Sequence, residues 1–373
     1  MKVKCSRAAL SEAFGIASSV VPIRTTIPAV MNVKLTAAKE GKGASTLEVT
    51  ATDLEFGIRQ TITGVDVKEE GTLFLPAARM AGILREVTDA DITIDSDGNL
   101  AQIKTTDANF KVVGADPVDY PAIPSFEEKG SVRVGTEDLG EMIRKTQFAV
   151  SSEVVRYALT GQLLEVKGRE LRMVASDGKR LAFIRSKSSS KEAAAKDLRV
   201  IVPTKTLNLL DKVLTDKDET VQMQVEETQI KLKSSRAVIF SRLIDGNFPD
   251  YEAVIPQDRD KKVGIQREAL FGAVRKVALM TTDKTRAVKL SISKGKLKMF
   301  ARTQDVGEAS VEIPVDYKGE EIEVVFNPDF IADYLKVVTE PEVELHLKDR
   351  TSAGVFKAGK DYTYVLMPLT VNL

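Results

Sequence analysis

Val202-Pro203-Thr204-Lys205-Thr206-Leu207-Asn208-Leu209-Leu210-Asp211-Lys212-Val213-Leu214 reads as the end of a strand, a turn and an amphipathic helix, and it has two counterparts in the chain. They are Leu75-Pro76-Ala77-Ala78-Arg79-Met80-Ala81-Gly82-Ile83-Leu84-Arg85-Glu86-Val87 and Phe326-Asn327-Pro328-Asp329-Phe330-Ile331-Ala332-Asp333-Tyr334-Leu335-Lys336-Val337-Val338. Leu75 to Val202 spans 127 residues, and Val202 to Phe326 spans 124. A second strand and helix recur at Val3–Leu10, Val132–Leu139 and Val263–Leu270, where the closing leucines are 129 and 131 residues apart. Two independent anchors therefore give one period.

Solenoid repeats run roughly 20 to 50 residues and cannot bury a core singly. A unit of this length is domain-sized, so the sequence predicts three consecutive copies of one fold, at 1–125, 126–255 and 256–373. Hairpin signals at Lys39-Glu40-Gly41-Lys42-Gly43, Lys167-Gly168-Arg169-Glu170 and Lys294-Gly295-Lys296 precede runs of period two, such as Leu297-Lys298-Met299-Phe300-Ala301. Each unit is expected to be α+β, with two helices against antiparallel sheet. Proline-rich segments at Asp116–Pro124 and Gly246–Pro256 read as stiff extended connectors. Ser186–Lys196 is low in complexity and reads as a mobile surface loop.

Composition excludes several chemistries. Cys5 and His346 are the only cysteine and histidine of 373 residues and belong to different units, which disfavours a Cys/His metal site or nucleophilic pair. His346, within the alternating Val343-Glu344-Leu345-His346-Leu347, is expected to be a strand residue. Asp95-Ser96-Asp97-Gly98-Asn99 starts like a calcium loop, but Leu100 and Thr106 stand where the glycine and last carboxylate belong, so a hairpin turn is the better reading. No phosphate-cradling glycine motif occurs, and neither cofactor nor metal is expected. With no apolar span or leader-like start and a single cysteine, a cytoplasmic protein without membrane contact is expected.

Lys plus Arg and Asp plus Glu both total 54, so any nucleic-acid binding must use segregated charge. Ten residues past the second-helix anchors stand Arg85, Lys212 and Lys336, and past the leucine anchors Arg144-Lys145 coincides with Arg275-Lys276. The macrodipole alone favours cations at helix ends. Repetition adds a second reading, in which equivalent helices point equivalent charges at a phosphate backbone without reading bases.

Five further segments are distinctive: Thr146-Gln147-Phe148-Ala149-Val150, Val155-Arg156-Tyr157-Ala158-Leu159-Thr160-Gly161, Val174–Ala182, Leu243–Tyr251 and Tyr364-Val365-Leu366-Met367-Pro368-Leu369. Through them, and over essentially its whole length, the chain resembles the β subunit of bacterial DNA polymerase III, the sliding-clamp family. This resemblance implies half of a six-domain ring, closed by a head-to-tail homodimer around duplex DNA, with no catalysis by the clamp. Expected partners are the polymerase III catalytic subunit, the clamp loader, and other polymerases or repair proteins bearing short apolar motifs.

The same resemblance implies a partner groove formed by Leu159, Ser176, Gly178, Lys179, Arg180, Leu181, Pro249, Val254, Val365, Met367, Pro368 and Leu369. In it Leu, Val and Met offer a deformable apolar floor, and Arg180 holds a carboxylate or carbonyl at the edge. On hydrophobicity alone these residues read as core. Family similarity points to Arg24 and Tyr157 for DNA contact, and periodicity adds Arg79, Arg85, Arg144, Lys145, Lys205, Lys212, Arg275, Lys276 and Lys336. Phe110, Leu279 and Met280 match the subunit joint. Lys179, Ala158, Ala253 and the extension Thr370–Leu373 depart from the family pattern and bear on groove specificity. A protein-binding scaffold without DNA and a metal-dependent hydrolase are the rival classes.

Overall fold

Alternating apolar residues become strands, and apolar residues at helical spacing become helices. In Leu100–Lys104 the side chains of Ala101 and Ile103 are fully buried while Lys104 is exposed. In α1 (Arg7–Ser18) the stripe Leu10, Ala13, Phe14 and Ala17 is buried, and Ser6 caps the helix by accepting from the Ala9 amide. The other helices are α2 (Ala77–Glu86), α3 (Thr136–Thr146), α4 (Thr204–Val213), the short α5 (Tyr251–Val254), α6 (Arg267–Ala278) and α7 (Pro328–Val337).

The computed structural model describes residues 1–40, 44–115, 120–187, 197–215, 219–283 and 286–371. Gly41–Gly43 of the first hairpin, Asp116–Asp119 of the first connector and Ser188–Lys196 of the low-complexity stretch lie outside the described residues. The chain divides into two compact units, Met1–Thr136 with Lys205–Leu243, and Glu137–Thr204 with Ile244–Leu373. Elements of the second sequence repeat are thus shared between both.

In the first unit an eight-stranded sheet runs in the order Val132–Gly135, Thr220–Val225, Gln229–Lys233, Ala237–Arg242, Phe56–Thr63, Ala44–Thr52, Asn32–Glu40 and Gly71–Pro76. A five-stranded sheet runs Asp66–Glu69, Lys2–Ser6, Asp91–Asp97, Leu100–Lys104 and Asn109–Val113. The helix α1 packs on α2.

In the second unit the eight strands are Leu198–Pro203, Gly161–Lys167, Glu170–Ser176, Arg180–Lys187, Tyr362–Leu366, Gly354–Ala358, Glu342–Leu347 and Lys261–Gln266. A four-stranded sheet runs Gly307–Pro314, Lys296–Thr303, Val288–Ser293 and Ile322–Phe326, and α6 packs on α7. His346 lies buried in its strand, with Nε2 2.6 Å from Glu344 Oε2.

Each eight-stranded sheet is made of four strands from one repeat and four from the next, joined edge to edge. In the first joint Ile239 stands opposite Ile58, and in the second Tyr364 stands opposite Ala182. Joining edges in this way removes strands that would otherwise template aggregation. The expected hairpins at Asp97–Leu100, Lys167–Glu170 and Ser293–Lys296 are present, with Gly98, Gly168 and Gly295 at φ 56°, 58° and 76°.

The second connector departs from expectation. Gly246–Pro256 is not an extended strap, because Asp250 caps α5 and Phe248 and Tyr251 are 6% and 3% exposed within an apolar cluster. Burying two aromatics outweighs the stiffness that its prolines provide.

Candidate partner groove and basic surfaces

The groove is built on the second joint. Leu181 and Val365 stand opposite one another and form its floor, 4% and 1% exposed. Behind them lie Leu163, Val174, Ile201 and Val355, each worth roughly 1.5–3 kcal/mol of burial. Ser176–Arg180 makes one rim through a tight turn. Asp177 Oδ1 accepts from the Lys179 and Arg180 amides at 2.9 and 3.0 Å, and Gly178 takes φ 83°. The Ser176 hydroxyl donates to the Arg180 carbonyl at 2.8 Å and accepts from the Gly178 amide at 3.1 Å.

Leu159, Phe248, Pro249, Tyr251 and Val254 form the other wall, and Met367 closes one end, leaving a cavity of about 150 Å³. Ten of the twelve residues expected here line it; Pro368 and Leu369 do not, and the Leu369 amide instead donates to the Val325 carbonyl at 2.8 Å. Val254 and Met367 are about half exposed, so apolar surface faces solvent.

Phe248 and Tyr251 are groove residues that the sequence reading does not include. Their signal lies in Asn247-Phe248-Pro249-Asp250-Tyr251, two aromatics in a segment that otherwise reads as a connector. Tyr251 is held by donating its hydroxyl to Glu165 at 2.7 Å and by stacking on Phe183 at 5.5 Å between centroids. Burial, with the Glu165 hydrogen bond, pushes its hydroxyl up to about 12.

Arg180 corrects the expected chemistry. Its Nε meets Asp177 Oδ2 at 3.1 Å, Nη1 donates to Asp333 Oδ2 at 2.9 Å, and Nη2 donates to the Phe148 carbonyl at 2.6 Å. The guanidinium also lies over the Phe330 ring, 4.2 Å from its centroid. With a side chain only 10% exposed and each guanidine nitrogen engaged within the chain, it braces the rim instead of receiving a ligand carboxylate. Burial pushes the Asp333 carboxyl up, but hydrogen bonds from Lys336 and Arg180 outweigh it and hold the group below its usual range.

Lys145 is the second correction. It is 4% exposed, bound to Glu141 at 2.8 Å and Glu340 at 3.2 Å, and lies 5.2 Å from the Tyr362 ring centroid. Two carboxylates and an aromatic face leave it no surface for phosphate. Arg24, Arg79, Arg85, Lys205 and Lys212 in the first unit are exposed, as are Arg144, Tyr157, Arg275, Lys276 and Lys336 in the second. Lys205 is paired with Asp53 at 3.0 Å and Lys336 with Asp333 at 2.9 Å. Every long helix except α1 carries a basic residue in its last turn.

Phe110 lies half-buried on the edge strand Asn109–Val113, beside a wide cleft against α2 that Arg79, Gly82 and Ile83 also line. At the end of α6, Leu279 is 72% exposed and Met280 half-buried. Among the described residues no group of three or more His, Cys, Asp or Glu could hold a metal ion, and no helix is long and apolar enough to cross a membrane.

Three tandem two-helix α+β domains, paired edge to edge in sequence-distant sheets, define the clamp class of non-catalytic replication proteins. Family models of the DNA polymerase III beta subunit match in order along the chain: the N-terminal domain at 1–124, the central domain at 133–250 and the C-terminal domain at 252–370. The beta sliding clamp of Chlamydia pneumoniae is 31% identical over 373 residues, covering all of both chains, and that of Caulobacter vibrioides is 34% identical over 383 residues with the same coverage. A solved DNA polymerase III subunit beta from Pseudomonas aeruginosa superposes with a TM-score of 0.89 at 30% identity, again over all of both chains. The chain belongs to the DNA polymerase III beta subunit family. It is a beta sliding clamp, a ring-forming homodimer that encircles DNA and confers processivity on the replisome.

Proposed function

We propose that this clamp holds its polymerase, clamp loader and other partners through one apolar peptide groove per chain, at the second joint. The observation that carries this is the half-exposed apolar cavity between Ser176–Leu181, Pro249–Val254 and Met367. A linear segment with two or three apolar side chains would seat them on Leu181, Val365 and Leu159, while backbone groups of the rim bind its main chain. Truncation after Leu366 removes Met367 and should abolish binding of a polymerase-tail peptide while the dimer persists. Unchanged peptide affinity would refute the assignment.

The three repeats, 1–125, 126–255 and 256–373, act as the domains of this half-ring, and the exposed basic helix ends supply weak, screened contacts to phosphate. Ring closure prevents escape, so these contacts need only guide sliding. Tethering then raises the effective concentration of polymerase at the primer end. Phe110, Leu279 and Met280 form the subunit joint. Support comes from the second joint, where Phe148 packs on Tyr364 at 5.6 Å between centroids. Phe148 follows its leucine anchor by nine residues, as Leu279 does. A single buried free thiol is consistent with a cytoplasmic protein.

A further inference from the structure

The wall of the partner groove is attached to its sheet by side chains. After the Ile244 amide donates to the Ile201 carbonyl at 3.0 Å, no backbone hydrogen bond joins residues 245–259 to the rest of the chain among the described residues. Burial of Phe248 and Tyr251 holds this segment down, but apolar contact is non-directional and does not by itself fix where α5 sits along the sheet. Direction comes from two side chains that stand opposite one another on adjacent strands, Glu165 and Arg172. The Tyr251 hydroxyl donates to Glu165 Oε2 at 2.7 Å, and Arg172 Nη1 donates to Glu252 Oε1 at 2.8 Å and to the Tyr251 hydroxyl at 3.4 Å.

Glu165 is unusual in being buried at all. It is 2% exposed and is the one buried carboxylate among the described residues, in contact with the half-exposed Arg199 on the neighbouring strand. Burying a charge is costly even when it is paired, and this clamp performs no catalysis that would account for it. The other repeats do without it. Val33, Gln162 and Val288 stand opposite the anchors Leu75, Val202 and Phe326, and three residues further on the equivalent positions are Thr36, Glu165 and Ser291. In the first connector Asp119-Tyr120 corresponds to Asp250-Tyr251, yet the Tyr120 hydroxyl donates to the Thr50 carbonyl, at 3.1 Å. Of the two connector tyrosines, only the one at the groove has a charged acceptor.

We propose that Glu165 is a positioning residue for the partner groove: by taking the Tyr251 hydroxyl it sets where Pro249 and Val254 stand against Leu181 and Val365, and so how tightly an apolar segment is held. This rests on the groove reading above and adds what fixes its wall. Tyr251, Pro249 and Val254 line the same cavity, and α5 is a single turn, so a displacement at Tyr251 is carried directly to Val254. A hydrogen bond to a carboxylate is shorter and stronger than a neutral one, which suits a wall that has no backbone ladder. Glu165 itself does not line the cavity, so a change there reaches a bound peptide only through the wall.

The test is the affinity of the intact dimer for a polymerase-tail peptide, with denaturant unfolding measured alongside. Tyr251→Phe keeps the ring on Phe183, and Glu165→Met removes the acceptor; each should weaken binding about five- to tenfold, mainly through faster release. Glu165→Gln keeps an acceptor for the hydroxyl and should bind within about threefold of the unmutated clamp. Glu165→Met combined with Tyr251→Phe should bind no more weakly than the weaker single variant, because both changes break one contact. A purely structural Glu165 would instead lower the unfolding midpoint and leave the affinity of the folded dimer unchanged, and that result would overturn the inference. Losses that multiply in the double variant would also contradict it. Where Glu165→Met does not fold, Tyr251→Phe alone decides. Binding that survives truncation after Leu366 would remove the groove itself, whereas binding lost on truncation yet unchanged in Tyr251→Phe would overturn only the positioning of its wall.

Discussion

Phe240 lies so close over Gly57 in the first joint that a Cβ on the glycine would stand 2.3 Å from Phe240 Cε1 and 2.7 Å from the Ala51 carbonyl oxygen. The same rung of the second joint pairs Val365 with Leu181, the groove floor. One joint is filled by an aromatic ring that needs a bare partner; the other is floored by two aliphatic side chains and stays open. This difference separates two joints that otherwise share one strand pairing. Gly57→Ala should cost about 1–3 kcal/mol, because the Ala51 backbone cannot yield cheaply. Denaturant unfolding would measure it, and peptide binding without denaturant should be unchanged.

Arg180 should behave as a brace. Arg180→Ala removes one charged partner from each of Asp177 and Asp333, which keep their backbone amides and Lys336, and should destabilise the fold by about 1–3 kcal/mol. Arg180→Lys should recover little, since one ammonium cannot serve three separated acceptors. If instead Arg180→Ala unfolds at the native denaturant midpoint and loses only peptide affinity, its role lies at the ligand.

Lys145 and the exposed cations should separate cleanly. Lys145→Met should leave DNA retention intact, while Lys212→Glu with Arg275→Glu should shorten residence on DNA and reduce the salt slope by about one for each phosphate no longer neutralised. Residence times across a salt series would show this.

Cys5 should be inert in the folded chain. Burial, followed by the negative charge of Asp91, pushes its thiol from 9.0 up to about 12. Above pH 9 the unfolded chain releases this proton and the folded chain keeps it, so stability should fall by about 1.4 kcal/mol per pH unit until about pH 12. Cys5→Ala should flatten that part of a stability profile.

Much of the fold is legible in the sequence, because period and strand alternation survive in the apolar residues. Leu10, Leu139 and Leu270 are each at most 1% exposed, as one repeat implies. Most groove residues are legible for another reason, a motif match, since Leu181 and Val365 differ from core leucines and valines only in what lies above them. What sequence does not show is commitment. Arg180 and Lys145 look like free cations until Asp333 and Glu340, more than 150 residues away, are brought to them. Gly246–Pro256 looks like a strap until Tyr251 finds Glu165.

Topological retention on DNA is the most direct measurement of clamp function here. Loaded onto a nicked closed circle, the dimer should remain through gel filtration at moderate salt and leave promptly once a restriction enzyme linearises the circle. Equal retention on circle and linear fragment would mean that it grips DNA instead of encircling it.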